Sequence, residues 1–363
     1  MINKLNPLII GDLEIKIPII QGGMGVKVST ASLAGAVADY GAAGTIASAA
    51  LGIGTPENEI DFVKSSREGL EREIRQARKI TQGVIGVNIL VAVTNYEDLV
   101  KTAVKEKADY IISGAGLPLK LPEFTKGSPV KLIPIVSSAK AADLIIRTWQ
   151  RRYDRLPDAI VVEGPLAGGH LGFKPEELVS SNGNSLEHLV GDVLSIVKKY
   201  ETGSNPSIPV IAAGGIFDGK DVARFLCLGA RGVQIATRFV TTHECSVADE
   251  FKNKYIAARE EDIVIIDSPV GMPGRAIRTK FIDRMMNGPR MPIRCGYQCL
   301  KPCNPKTVSY CINDALFNAV TGDIDNAVVF AGSNVARITK IVSVKELLDE
   351  IVSETLEELN KKG

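Results

Sequence analysis

The sequence predicts an α/β fold, a (β/α)8 TIM barrel with a C-terminal extension packed on the barrel. Three observations predict it. Short β-branched runs alternate with stretches of helical period, eight such runs occur before residue 240, and the loops that follow them are rich in Gly, Ser and amide side chains. The runs are Ile17–Ile20, Ala43–Ala47, Val84–Ile89, Asp109–Ser113, Lys131–Val136, Ala159–Glu163, Pro209–Ala213 and Gly232–Ala236. Between them the helical stretches include Thr30–Tyr40, Glu57–Thr81, Tyr96–Lys107, Ala139–Arg151, Leu186–Tyr200 and Gly219–Leu228, each stopped by Gly, Pro or a polar turn. An open doubly wound sheet would carry Gly-x-Gly-x-x-Gly after its first strand. Gly22-Gly23-Met24-Gly25 does not fit that pattern.

Residues 1–245 are read as the barrel and 246–363 as helices and loops that complete and cover it, ending in an amphipathic helix around Val344–Glu358. Two stretches rich in Gly, Pro, Met and Arg, Ser268–Arg275 and Met285–Arg290, are candidate lid loops over the barrel mouth.

A chain of 363 residues can bury a full core. Its 43 Lys and Arg against 42 Asp and Glu, interspersed along the chain, argue against nucleic acid as a partner. The apolar runs are strand-sized, which argues against a membrane span, and no secretory core follows Met1, so the expected location is cytoplasmic. Six cysteines in such a chain fit a reducing compartment. Four of them, Cys295, Cys299, Cys303 and Cys311, form C-x3-C-x3-C-x7-C. Thiolates can ligate zinc or an iron–sulfur cluster, but this spacing is not that of zinc ribbons and its flanks, Lys301-Pro302 and Asn304-Pro305-Lys306, read as a turn-rich loop. No metal site is assigned, and the state of the four thiols is left open.

Barrel chemistry sits at the C-terminal ends of the strands. After the seventh and eighth runs stand Gly214-Gly215 and Gln234-Ile235-Ala236-Thr237. Glycines there let backbone N–H groups close on an anion, aided by the following helix dipole, at the corner where barrels often hold phosphate. After the sixth run, Glu163 leads into a Gly-rich loop that ends in Gly168-Gly169-His170. Small residues around one imidazole let a flat ligand approach and leave the ring free to act as acid or base. His188, on a polar helix, and His243, beside Glu244, are read as solvated or capping.

Gln21-Gly-Gly-Met-Gly25, Gly86-Val-Asn88, Glu163-Gly-x-x-Ala-Gly-Gly-His170, Ala213-Gly-Gly-Ile216 and Gln234-Ile-Ala-Thr237, in this order and with Phe330-Ala-Gly-Ser-Asn334 beyond, resemble the nitronate monooxygenase family, also called 2-nitropropane dioxygenases. The same superfamily includes flavin-dependent enoyl-acyl-carrier-protein reductases and NAD(P)H:quinone reductases. The resemblance implies a nucleotide-binding flavoprotein that holds FMN without a covalent bond, with Gly23 and Met24 against the isoalloxazine and Asn88 hydrogen-bonding near it. Glu163, Gly168 and Gly169 would line the ribityl and ring edge, and Gly214, Gly215, Gln234, Ile235, Ala236 and Thr237 would hold the phosphate. His170 matches the family's catalytic histidine, beside the flavin N5. Two departures stand out: Leu166 replaces an acidic residue many members carry, and Ile133-Pro-Ile-Val-Ser137 lacks the basic residue common in nitronate enzymes.

The first expectation is an oxidoreductase, a monooxygenase that oxidises alkyl nitronates with O2. The alternative is an NAD(P)H-dependent enoyl or quinone reductase on the same barrel, toward which Glu163-Gly164 and Ser137-Ser138 lean, with NAD(P)H as candidate co-substrate. A third reading is a non-catalytic barrel that binds a phosphate ligand. A homodimer is the candidate assembly.

Overall fold

The computed structural model describes residues 3–179, 185–201, 207–288, 293 and 295–362. Eight parallel strands form the barrel: β1 Ile19–Gln21, β2 Gly44–Ala47, β3 Ile85–Leu90, β4 Tyr110–Gly114, β5 Lys131–Val136, β6 Ile160–Glu163, β7 Val210–Ala213 and β8 Gly232–Ile235. Each pairs with its neighbour in sequence, and β8 returns to β1 through Val233–Ile19 and Ile235–Gln21. Ring closure between β1 and β2 rests on a single bridge, Ile20 to Ala43, with Gln21 N–H donating to Ala43 O at 2.9 Å. All eight expected strands are present, because β-branched runs favour the pleated, buried environment of a parallel sheet.

Inward-facing Ile20, Tyr110, Ile112, Ile133, Val161 and Ile211 pack in the ring's interior. Gly86 is glycine because a Cβ there would come within 2.1 Å of the Tyr110 ring. An N-terminal hairpin, Leu8–Ile10 with Leu13–Ile15, adds Leu8, Ile10 and Ile15 to that cluster, plugging the end opposite the strands' C-termini.

The surrounding helices are α1 Ala31–Asp39, α2 Phe62–Ile80, α3 Tyr96–Lys105, α4 Leu121–Phe124, α5 Ala139–Tyr153, α6 Leu186–Val197, α7 Gly219–Leu228 and α8 Val344–Lys362. The single helix expected over Glu57–Thr81 is instead two. A short helix, Pro56–Ile60, stops at Asp61, whose extended backbone and side chain cap α2 by accepting from Lys64 N–H. A capping carboxylate satisfies the new helix better than continuation would. The last barrel helix lies far from its strand in sequence. The chain leaves β8 through a four-residue helix, Thr237–Val240, runs through the cap, and returns in α8, which packs beside α7 and α1. Glu354 on α8 accepts Gly219 N–H at 2.9 Å, and a Cβ at Gly219 would strike Thr355 N at 2.4 Å.

The cap is built on antiparallel strands Ile263–Asp267 and Pro273–Ile277. The free edge of Pro273–Ile277 pairs with Val329–Phe330 and, farther along, with Gly169–His170 of the barrel's own sixth loop. Of the two lid candidates, Ser268–Arg275 forms the turn and second strand of this hairpin. Met285–Asn287 ends the helix Lys280–Asn287, while Pro289 and Arg290 lie outside the described residues. Among the described residues no helix is long and apolar enough to cross a membrane.

Candidate active site

At the end of β1, the Gly22–Met24 turn is braced from behind. Gln21 Oε1 accepts from Thr45 N–H at 3.0 Å, while Ser29 Oγ accepts from Gln21 Nε2 at 2.8 Å and Met24 N–H at 2.9 Å. Asn88, from β3, stands against that turn: a Cβ on Gly23 would lie 2.3 Å from its own Cβ. Glycine at 23 is what gives the amide its place.

The loop after β6 is gripped by the cap. Buried Arg275 donates to Pro165 O at 2.5 Å and Ala167 O at 2.6 Å, and Ser333 N–H donates to Leu166 O at 3.1 Å. Gly168 leaves no room for a Cβ, which would meet Gly332 N at 2.5 Å, and Gly169 has a φ of +73°. His170 is thereby fixed in three ways. Its backbone pairs with Gly274, its ring meets Phe330 edge-on with centroids 4.9 Å apart, and its Nε2 lies 2.7 Å from Ser268 Oγ. Dry surroundings with no carboxylate partner push His170 down to about 4, so the ring is neutral at pH 7. Glu163 has no hydrogen-bond or ion-pair partner among the described residues, and desolvation pushes it up to about 7.

Gly23, Met24, Asn88, Glu163, Gly168, Gly169, His170, Gln234, Ala236 and Thr237 line one cavity of about 480 Å3 at the strands' C-terminal ends. Such a volume is in the range of cofactor and ligand pockets. Gly214, Gly215 and Ile235 do not line it. The two glycines have φ of +93° and +90°, and their missing Cβ atoms make room for the loop after β6, at 2.9 Å from Gly164 O and from Leu166 Cβ. The expected helix dipole behind them is also taken up. Asp218 caps α7 by accepting Asp221 N–H, Glu354 accepts Gly219 N–H, and Asp221 accepts Phe217 N–H. At this corner Ala236 and Thr237 line the cavity beside the Gly332 segment, where Gly332 N–H donates to Thr237 Oγ1 at 3.0 Å.

The residues present suit a flat, polar-edged cofactor. Gln234, on the cavity wall, has a buried Oε1 with no partner among the described residues, and Gly22, Gly23 and Gly168 line the same cavity without a side chain. An orphaned acceptor in a cavity is the complement of a ligand donor.

Besides Arg275, which holds the loop after β6, sequence reading missed two polar residues of the site. Ser268 lay within the lid candidate without a role, since only the register of the cap sheet brings it to His170. Asn95 lines the cavity, is 3% exposed, makes no cap to α3, and leaves both amide atoms without partners among the described residues. An Asn before a helix reads as an ordinary cap. His188 and His243 are both exposed, as expected.

The rest of the cavity is largely apolar, including Val26, Phe62, Leu99, Met272, Leu316 and Phe330, and no Lys or Arg is among its lining residues. Of the clustered cysteines, Cys299 reaches it. Cys299 lines the large cavity and also, with Cys295, Cys303 and Cys311, a small one beside it. Among the described residues no three Cys, His, Asp or Glu side chains are placed to hold a metal ion.

The family model described as nitronate monooxygenase matches residues 6–354. A curated relative from Mycobacterium tuberculosis, (3aS,4S,5R,7aS)-5-hydroxy-7a-methyl-1-oxo-octahydro-1H-indene-4-carboxyl-CoA dehydrogenase, is 30% identical over 278 residues, 77% of this chain and 68% of that protein. A probable nitronate monooxygenase of Staphylococcus aureus is 28% identical over 297 residues, 75% of this chain and 78% of its own. The structure of FabK from Thermotoga maritima superposes with a TM-score of 0.75 at 30% identity, covering 96% of this chain and 95% of that one. The barrel, the cavity at its C-terminal face and these likenesses agree, and the chain belongs to the nitronate monooxygenase family of flavin-dependent oxidoreductases.

Proposed function

We propose that the protein is an FMN-dependent reductase that uses NAD(P)H to saturate an α,β-unsaturated acyl thioester. The observation that carries this reading is the character of the cavity wall: among the described residues it is largely apolar, without Lys or Arg, with Glu163 as its one acidic side chain. A small nitronate is an anion and needs a compensating charge. An acyl chain needs apolar surface, and a thioester carbonyl needs only a hydrogen-bond donor. The mycobacterial relative, whose name specifies a carboxyl-CoA substrate, supports the same class.

FMN, when bound, supplies the two-electron relay between NAD(P)H and the thioester. Gly23, Met24 and Asn88 would face its ring, Glu163, Gly168 and Gly169 its edge and ribityl chain, and Ala236 and Thr237 the phosphate end, with Gln234 Oε1 accepting from a donor on the cofactor. His170, neutral and held at Nε2 by Ser268, leaves Nδ1 to polarise the substrate carbonyl. A neutral imidazole serves this purpose in other barrels. Saturation places one hydride on the β-carbon and one proton on the α-carbon. Glu163, near its midpoint at pH 7, is the side chain of the wall able to supply that proton.

The test is anaerobic reduction of the purified yellow protein, followed by its visible absorption. Bleaching by NADH or NADPH, with colour restored by crotonyl-CoA, is the expected result; bleaching by propyl nitronate alone would establish nitronate oxidation instead. The staphylococcal relative favours that second reading. A protein that purifies colourless would remove FMN.

A further inference from the structure

Cys295, Cys299, Cys303 and Cys311 come from 17 consecutive positions and line one small cavity together. The first three are spaced at four-residue steps, yet no helix carries them. From Cys295 to Tyr310 the chain has neither helix nor strand, and its one ladder contact is the bridge from Leu300 to Val93. A stretch of this length without regular structure is uncommon in a packed domain and is usually functional.

What regular structure does not provide, anchoring to the barrel does. Thr94 N–H donates to Cys299 O at 3.0 Å, Lys301 N–H to Ala92 O at 2.8 Å, Asn58 Nδ2 to the Tyr297 hydroxyl at 2.9 Å, and the Tyr297 ring stacks on Phe62 at 4.4 Å. The segment is anchored to the barrel, its four cysteines line one small cavity, and Cys295 Sγ donates to Tyr297 O at 2.9 Å. The other two cysteines, Cys227 and Cys245, take no part.

The chemistry of the wall narrows the guest. It carries four sulfurs, with no Asp, Glu or His among them; Gln298 and Tyr310 are its other polar side chains. An all-thiol set selects a soft, thiophilic centre over a hard cation. A single tetrahedral zinc would gather its sulfurs to about 3.8 Å of one another, given a Zn–S distance of about 2.3 Å. No three of these side chains are so placed among the described residues. An iron–sulfur cluster takes one thiolate per iron, so its four ligands ring a larger core and stand farther apart.

We propose that Cys295, Cys299, Cys303 and Cys311 ligate an iron–sulfur cluster at the rim of the substrate cavity. Cys299 and Ile312 belong to both cavity walls, which places the centre next to the redox site.

The experiment is iron and acid-labile sulfide analysis of full-length protein expressed and purified without oxygen, with electron paramagnetic resonance after dithionite reduction. About four irons and four sulfides per chain are expected, together with a reduced-cluster signal. Cys299→Ser and Cys303→Ser should each lose most of both while keeping flavin, and Cys227→Ser should keep all of them. Should the serine variants fail to fold, reconstitution of the chelator-treated wild type with ferrous iron and sulfide gives the same answer. One zinc per chain without sulfide would overturn the cluster in favour of a mononuclear site. No metal after reconstitution would leave four reduced thiols, and full iron in Cys303→Ser would remove that ligand.

Discussion

His170 Nε2 and Ser268 Oγ lie 2.7 Å apart although 98 positions separate them in the chain, so the barrel contributes the imidazole and the cap contributes the group that orients it. Removing the hydroxyl should free the ring to rotate. Ser268→Ala is expected to lower turnover about 5–10-fold, the worth of one hydrogen bond of about 1–1.5 kcal/mol, with flavin content unchanged. Ser268→Thr should restore most of it. Equal turnover in Ser268→Ala and wild type, with the same pH profile, would show that Phe330 and the backbone pairing suffice.

His170→Ala removes the polarising group itself. Turnover should fall about 10²–10⁴-fold while the protein still purifies yellow. Flavin content and kcat, measured on the same preparation, separate loss of chemistry from loss of cofactor.

Glu163 and His170 pull stability in opposite directions with pH. Glu163 is raised from 4.5 to about 7, so the folded chain keeps a proton that the unfolded chain gives up, and this group lowers stability as pH rises between those values. His170 is lowered from 6.5 to about 4, so the folded chain refuses a proton the unfolded chain accepts, and stability falls as pH drops through that range. Glu163→Gln should therefore gain on the wild type in Tm as pH goes from 5 to 8. A difference that stays constant across the range would mean that Glu163 titrates as a solvated carboxylate.

Asn95 buries an amide with both ends unpaired among the described residues, an arrangement that costs stability unless a ligand meets it. Asn95→Leu keeps the volume and removes the penalty. It should stabilise the ligand-free protein by about 1–2 kcal/mol in urea unfolding and weaken substrate or cofactor binding. Loss of stability would show that the amide has a structural partner.

Gly215, at a φ of +90° and with space for a Cβ closed to 2.9 Å by Leu166, should not accept a side chain. Gly215→Ala is expected to cost about 1–2 kcal/mol of left-handed backbone strain, and to lower flavin content by displacing the loop after β6. Thermal unfolding and the ratio of flavin to protein absorbance check both effects.

The barrel is readable in the chain because strand burial is a local pattern: β-branched runs such as Lys131–Val136 coincide with their strands. Helix boundaries are less so. The break at Asp61 depends on a side chain choosing a cap over a further turn, and α8 lies about a hundred residues from β8, where periodicity shows a helix but not its neighbours. His170 is visible in its glycine loop. Ser268, Arg275 and Asn95 are not, because each acquires meaning only through a contact distant in sequence, and Gly214-Gly215 shows the converse, a motif whose close packing supplies a structural reason for its glycines.

The excursion between β8 and α8 begins and ends at one point: Thr242 and Val342 form a parallel bridge, and His243 N–H donates to Val342 O at 2.9 Å. The cap is thus an insert whose two ends are neighbours, and a short turn could rejoin them without stretching the ring. Modularity of this kind separates inheritance of the scaffold from inheritance of the reaction. A lineage could exchange everything between those residues, and with it the orienting serine, the phenylalanine against the imidazole, the Arg275 and Ser333 grip on the loop after β6 and the cysteine segment, while the strand-borne Asn88, Glu163 and Gln234 stayed as they were.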